Sequence, residues 1–584
     1  MLRKTAVAVS AALFTLSLAA CNSSSDTTAS NPAPVPGSTV GVTSSADNLK
    51  TLTPIKHVVV IYNENVSFDH YFGTYPKASN PKAEPAFTAA PGTPAVNNLV
   101  TPNPAPANDL QTDNGNYTNT KNGKDAANPY RLDRSQAATA DQNHAYTAEQ
   151  MAYDNGLADL FPLYTGKGTA GGADEFGTKG QVMGYFDGNT VTALWNYAQN
   201  YAMSDAAFTD TYGPSTPGAL EVVAGQTNGM QIIQTSKKPF TTAAYSYYIN
   251  DGVGGFTMIN DVDPAGDVCS SKTDQVMMTG KNIGDLLNAA NITWGGFMGG
   301  FNLQTVNSNG TTGCKRSTVS NVIGGAAMGD YIQHHNWFQY YASTANPTHA
   351  RPSSVAAIGY SYQADGKTAD PANHEYGAED FIAAVKAGNY PAVSYVKAPA
   401  FQDGHAGYSD PLDEQAFTSK IINFLMQQPD WKNTAVIVSW DDSDGWYDHA
   451  FANPTNPSFD AQADQLNSAG NCGTGTPLNG VNGKPVNGRC GPGTRIPFLV
   501  ISPYAKANFV SHTAISQASV VKFIEDNWLS STRLGGGSFD ATAGSIMDMF
   551  NFSNGGNTPP VFIDSSTGAV IQNAPTITAA SFKN

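Results

Sequence analysis

The chain has 584 residues, with 47 acidic against 31 basic side chains and a formal net charge of −16. Aromatic residues reach 10%, ample for a packed core and too many for a disordered chain. So acidic a balance argues against nucleic acid as a partner, because gripping a phosphate backbone takes clustered Lys and Arg, and after residue 20 no run is long and apolar enough to predict a membrane span.

Residues 1–20 read as an export signal. Arg3 and Lys4 give a positive start, Ala6 to Leu18 an apolar stretch, and Leu18-Ala19-Ala20-Cys21 a small-residue cleavage site. The pattern resembles a bacterial lipoprotein signal, which implies a lipidated Cys21 and an exported chain anchored to a membrane, at the cell surface or the periplasmic face. Residues 21–50, rich in Ser, Thr, Asn and Pro, are predicted to be a flexible tether, leaving 51–584 as the folded domain. Within it, irregular insertions are expected near 78–130 and 452–494. Four cysteines remain in an exported chain and predict two disulfides. Three pairings are possible. Cys472–Cys490 is favoured because it closes a short loop, leaving Cys269–Cys314.

Short apolar runs follow one another along the domain: Val58–Ile61, Ile292–Phe297, Ala392–Val396, Ala435–Trp440 and Pro497–Ile501. They suit buried parallel strands. Helical patterns at Val191–Tyr201, Glu414–Gln428 and Ser516–Trp528 lie between or after them. The alternation predicts an α/β fold, a mostly parallel central sheet flanked by helices. Ligands in such folds sit beyond the carboxyl ends of the strands.

The residues just past those ends are therefore the informative ones. Glu64 and Asn65 follow the first run, and Asp441 and Asp442 follow the Ala435–Trp440 run. Three carboxylates and an amide at one place favour a divalent cation, with Ca, Mg or Mn matching oxygen donors best and Zn also admissible. In Tyr212-Gly213-Pro214-Ser215-Thr216-Pro217-Gly218, the proline suits the first turn of a helix, placing Ser215 at a helix N-terminus. A nucleophile for phosphorus belongs there, because the free N–H groups bind phosphoryl oxygens; a plain capping serine fits the same sequence. Among ten histidines, His144, His334, His335 and His405 lie in loops suited to the edge of that sheet.

These segments together resemble the bacterial phosphoesterase family that joins respiratory-burst-inhibiting acid phosphatases with non-zinc phospholipases C, within the alkaline-phosphatase-like superfamily. The likeness rests on Ile55–Val60 running into Glu64–Gly73, then Gly213–Pro217, Tyr331–His335, Asp403–Tyr408, Trp440–Asp442 and Arg495–Pro497. It implies an alkaline-phosphatase-like fold and one divalent metal held by Glu64, Asn65, Asp441, Asp442 and Ser215. Ser215 would also be the nucleophile, forming a phosphoserine intermediate. His144, His335 and His405 would contact the phosphoryl group or leaving oxygen as cations, with His334 in support. Many phospholipase members carry Asn-Arg where this chain has Gly218-Ala219. The departure favours a small phosphomonoester as substrate, in the manner of the acid phosphatases. The alternative is a phospholipase C acting on phosphatidylcholine-like lipids, with the aromatic segment Trp337–Tyr341 as an apolar mouth. Outside enzymology, the Asn/Gly/Tyr-rich composition also suits a glycan-binding surface lipoprotein.

Overall fold

The computed structural model describes residues 44–100, 113–172, 174–239, 246–320, 327–577 and 582. The expected export signal, Cys21 and the expected tether up to residue 43 lie outside the described residues. From residue 44 the chain belongs to the folded domain: Ser44 and Ala46 are fully buried, and the Ser44 hydroxyl donates to the Tyr390 carbonyl at 2.6 Å.

Eight strands form the central sheet: β1 (His57–Asn63), β2 (Ala202–Ser204), β3 (Trp294–Met298), β4 (Glu375–Gly377), β5 (Val393–Lys397), β6 (Thr434–Trp440), β7 (Phe498–Ile501) and β8 (Phe509–Ser511). Their order is β4-β3-β5-β1-β6-β7-β2-β8. Every pairing is parallel except those of β7, which runs antiparallel to both β6 and β2. The Pro497–Ile501 run was expected to be parallel. It is just as buried, and burial on both faces is what makes a strand read as a continuous apolar run, whichever way it points.

Five helices cover the faces: α1 (Thr192–Asn200), α2 (Ser215–Ala224), α3 (Ala378–Lys386), α4 (Pro411–Met426) and α5 (Ala518–Trp528). Successive strand residues point to opposite faces, and the end of β1 shows which helix lies where. The Tyr62 hydroxyl donates to the Gly218 carbonyl of α2 at 3.0 Å and accepts from Gln517, just before α5, at 2.8 Å. The next residue, Asn63, donates from Nδ2 to Glu414 of α4 at 2.7 Å on the other face. Helix α4 starts where the sequence dictates: Asp410 accepts from the N–H groups of Leu412 and Asp413, and Pro411 occupies the first turn. Helix α2 ends at Gly225, whose φ of +56° is the left-handed stop that glycine allows.

A smaller, mostly antiparallel sheet spans residues 228–278. Residues 452–494 run without a helix or extended strand and hold the Cys472–Cys490 bridge, both sulfurs buried. The second bridge joins Cys269 to Cys314. Among the described residues, no helix is long and apolar enough to cross a membrane.

Candidate active site

Strands β1 and β6 are parallel neighbours in register, Asn63 opposite Trp440. The residues that follow them therefore emerge side by side. The Asn65 N–H donates to Asp441 Oδ1 at 2.9 Å, and the Val66 N–H to the Asp442 carbonyl at 2.9 Å. Asn65 turns the chain at φ +61°, a left-handed conformation that Asn tolerates better than most residues. Ser215 is the first residue of α2, with Pro214 before it. Its Oγ lies 2.9 Å from Glu64 Oε2, 3.2 Å from Asn65 Oδ1 and 3.2 Å from Asp442 Oδ2. The four ligands expected beside the nucleophile thus stand with it, all essentially excluded from solvent.

One hydroxyl proton cannot serve three acceptor oxygens, so the geometry leaves negative charge uncompensated. Burial and then the charge of Glu64 push the Asp441 carboxyl up to about 7. Burial and then Asp441 raise Asp442 well above the usual carboxylate range. Asp441 Oδ2 is buried with no hydrogen-bond partner. This donor set of carboxylate, amide and hydroxyl oxygens, with an orphaned oxygen among them, fits a hard divalent cation. Glu64 departs in the other direction. Burial opposes its charge, but Lys397, a hydrogen bond with Asp441 and His405 together outweigh burial and hold the carboxyl below its ordinary value. Lys397 closes β5, is 1% exposed, ion-pairs with Glu64 Oε1 and donates to the Tyr62 carbonyl at 3.3 Å.

A cavity of about 780 Å³ reaches Pro214, the residue before Ser215, and His144, His334, His335 and His405 all line it. Their charge states differ from the expectation of a uniform ring of cations. His335 is buried with Nδ1 3.0 Å from Glu64 Oε1, yet burial, His334 and Lys397 push its pKa well below the ordinary value, so the ring is neutral. His144 sits with Nδ1 3.0 Å from Asp444 Oδ1. Burial opposes its protonation, but Asp442, Asp444 and Asp141 outweigh burial and raise it well above 6.5. His334 is raised similarly, burial being outweighed by Asp261 and Asp263. The His405 ring stacks on Tyr408 at 4.4 Å and lies 6.1 Å from His335 in a parallel plane.

Two further expectations are corrected. The helix N-terminus is not wholly free: the Thr216 N–H and hydroxyl both donate to Asp261 Oδ1, at 2.9 and 3.0 Å. The segment Trp337–Tyr341 is no apolar mouth, because Trp337, Phe338 and Tyr340 are fully buried in the core, with Phe338 against Trp294 and Tyr395. Sequence reasoning also missed Lys397, Asp261 and Asp444. For Lys397 a signal existed, a lone cation ending the apolar run Val393-Ser394-Tyr395-Val396. Asp444 follows Asp442 by two residues and accepts from Asn65 Nδ2 at 3.1 Å, tying the histidine side of the cavity to the ligand side.

Known proteins bear on this constellation. A 202-residue stretch is 31% identical to the non-hemolytic phospholipase C of Pseudomonas aeruginosa, covering 32% of this chain and 27% of that protein. The hemolytic phospholipase C of the same organism is 22% identical over 529 residues, 87% of this chain and 57% of its own length. Phospholipase C A of Mycobacterium tuberculosis is likewise 22% identical over 529 residues, 87% of this chain and 79% of that protein. The matches thus span less than two thirds of either Pseudomonas protein. Among solved structures, murine ectonucleotide pyrophosphatase/phosphodiesterase 5 aligns at 11% identity with a TM-score of 0.27, covering 62% of this chain and 95% of that one. The model of the phosphoesterase family matches residues 55–529, a span that holds every residue of the site described above, and the chain belongs to that family.

Proposed function

We propose that this chain is a metal-dependent hydrolase of phosphate esters with Ser215 as its nucleophile. The observation that carries the reading is the Ser215 hydroxyl, set at a helix start among Glu64, Asn65 and Asp442 beside a histidine-lined cavity. A divalent cation held by Glu64, Asn65, Asp441 and Asp442 would supply positive charge against the developing alkoxide and the phosphoryl oxygens.

The chain's own groups account for the remaining steps. Ser215 Oγ lies within hydrogen-bond reach of the Glu64 and Asp442 carboxylates, and its proton passes to one of them as Oγ attacks phosphorus. His144, which its three carboxylate neighbours keep protonated, gives its proton to the departing alcohol oxygen. His334 stands at the cavity wall with its pKa raised by Asp261 and Asp263, and His335 packs against Glu64, with Nδ1 3.0 Å from Oε1. Water then attacks the phosphoserine with His144 taking its proton, phosphate departs, and the carboxylate that accepted the serine proton returns it to Oγ, restoring Ser215.

Asp141, Asn143, Lys167 and Gln333 line the cavity with the histidines, beside Met328, Tyr331, Ile332 and Tyr408, and the aromatic segment Trp337–Tyr341 is buried. The departure from the phospholipase pattern at Gly218-Ala219 makes a phosphomonoester the leading substrate. Phospholipase C activity is the second reading, favoured by the names of the relatives. Hydrolysis of p-nitrophenyl phosphate and of phosphatidylcholine by the wild-type chain and Ser215→Ala tests both. The variant should lose about six orders of magnitude in kcat, the scale on which a serine nucleophile contributes. Turnover preserved in Ser215→Ala defeats the mechanism, and exclusive release of phosphocholine reverses the order of substrates.

Export and acylation at Cys21 complete the reading, supported by the signal pattern and by two disulfides, which belong to oxidising compartments. A Cys21→Ala chain that still fractionates with membranes overturns the anchor.

A further inference from the structure

A second cavity of about 780 Å³ lies far from the chemistry. It is lined by Ile292 and Thr293, which lead into β3, by Asn288 and Asn291 just before them, and by the loop carrying Tyr360 to Gln363. The residues leading into parallel strands are at the sheet's amino edge, whereas Ser215 and its neighbours stand at the carboxyl edge. The phosphoesterase reading makes no use of this cavity.

We propose that this cavity is a binding site for neutral carbohydrate. Elimination gives the first argument. No Lys, Arg, Asp or Glu lines the cavity, although the chain carries 78 such residues. A phosphate or carboxylate ligand would lack a cation, and a cationic ligand an anion. Its one titratable imidazole, His374, is held neutral at neutral pH, since burial lowers it to about 4. A wholly apolar ligand would strand the amides of Asn288, Asn291 and Gln363. A polyhydroxylated, uncharged ligand satisfies all of these.

The second argument is positive. Tyr360 and Tyr362 leave 37% and 53% of their surface exposed beside the amides, and an aromatic ring covers the C–H face of a sugar while the amides bond its hydroxyls. The Tyr360 ring and the Tyr362 backbone are held in place. The Tyr360 hydroxyl donates to Ser45 Oγ at 2.8 Å. Tyr362 is bridged to Ala369 across a turn closed by Asp365, which accepts from the N–H groups of Lys367 and Thr368 at 2.9 Å each. The Asn288 amide is oriented by Trp294, whose Nε1 donates to its Oδ1 at 2.8 Å. Among the described residues its Nδ2 has no protein partner, so its two donors remain for a ligand.

Calorimetric titration of the full folded chain with maltohexaose, cellohexaose and chitohexaose tests the assignment. A saturable isotherm is expected with at least one of them, weakened on the order of tenfold in Tyr362→Ala, as for an exposed aromatic anchor. Hydrolysis of p-nitrophenyl phosphate should be unchanged in that variant, which separates this site from the catalytic one. Asn291→Ala removes an exposed amide and serves as a second variant. No saturable binding of any of the three at millimolar concentration overturns the proposal, as does equal affinity in the Tyr362→Ala/Asn291→Ala double variant.

Discussion

The main chains of Gly218 and Asp441 approach so closely that a Cβ at position 218 would stand 2.1 Å from the Asp441 carbonyl oxygen. Helix α2, which carries Ser215, is thereby pressed onto the segment that carries Asp441 and Asp442. Any side chain at 218 must push the helix away from the carboxylates it serves.

Gly218→Ala is expected to cost about 1–3 kcal/mol of stability, the usual penalty for overpacking, and about a hundredfold in kcat, because a shift near 1 Å at the reacting atoms costs that much. Denaturant unfolding and steady-state kinetics measure the two effects. Wild-type kcat in this variant would mean that Ser215 is not positioned through this contact.

Lys397→Met keeps the shape of a buried side chain and removes its charge. Without metal, Glu64 then loses its fixed counter-charge, and breaking such a buried pair typically costs about 3–5 kcal/mol. With a divalent ion added the loss should shrink, because the ion compensates the same carboxylate. Thermal unfolding of the variant with and without Mg²⁺, Ca²⁺ or Mn²⁺ checks the sign; an equal loss in both conditions would mean that Lys397 and the ion do not share Glu64.

Metal removal should destabilise the whole domain, not only silence it. An ion bound to the folded chain alone, at a hundred times its Kd, contributes about 2.7 kcal/mol. Exhaustive chelation is therefore expected to lower Tm by several degrees, with recovery on readdition and with Asp442→Asn insensitive to both. A Tm indifferent to chelation in the wild-type chain, once metal analysis finds no bound ion, would sink the ligand assignment.

Acid sensitivity follows from His70, well away from the ligands. The ring stacks on Trp446 at 3.9 Å and donates from Nδ1 to the Gly184 carbonyl at 2.7 Å. Burial pushes its pKa down to about 3. Between pH 6.5 and 3 the unfolded chain binds a proton that the folded chain refuses, so stability is complete above the unfolded pKa and falls with pH across that window. The slope is about 1.4 kcal/mol per pH unit for one such group. His374, lowered to about 4 by burial, adds to it. Urea unfolding at pH 7, 5.5 and 4 should show the decline, and His70→Gln should flatten it by roughly one group's share.

The strand runs and the helix start at Ser215 were legible because each rests on a local rule. Val58–Ile61 and Ala435–Trp440 are continuous apolar runs, and Pro217 announces a helix start two residues after Ser215. The short edge strands Glu375–Gly377 and Phe509–Ser511 were not legible, since three residues hold no periodicity. Charge states were hidden for a different reason. His334 and His335 adjoin in sequence and move in opposite directions, because Asp261 and Asp263 face one ring while Lys397 and burial act on the other. The buried role of Trp337–Tyr341 was equally invisible, since an aromatic run suits a mouth or a core alike.

The bond between the Asn65 N–H and Asp441 joins residues 376 positions apart. No local segment of the chain holds more than half of the ligand set, so the nest of oxygens comes into being only when the two ends of the domain have docked through β1 and β6. On the proposed metal assignment, a chain in which these strands have not yet paired offers a divalent ion at most half of its oxygens, so tight binding waits for the scaffold.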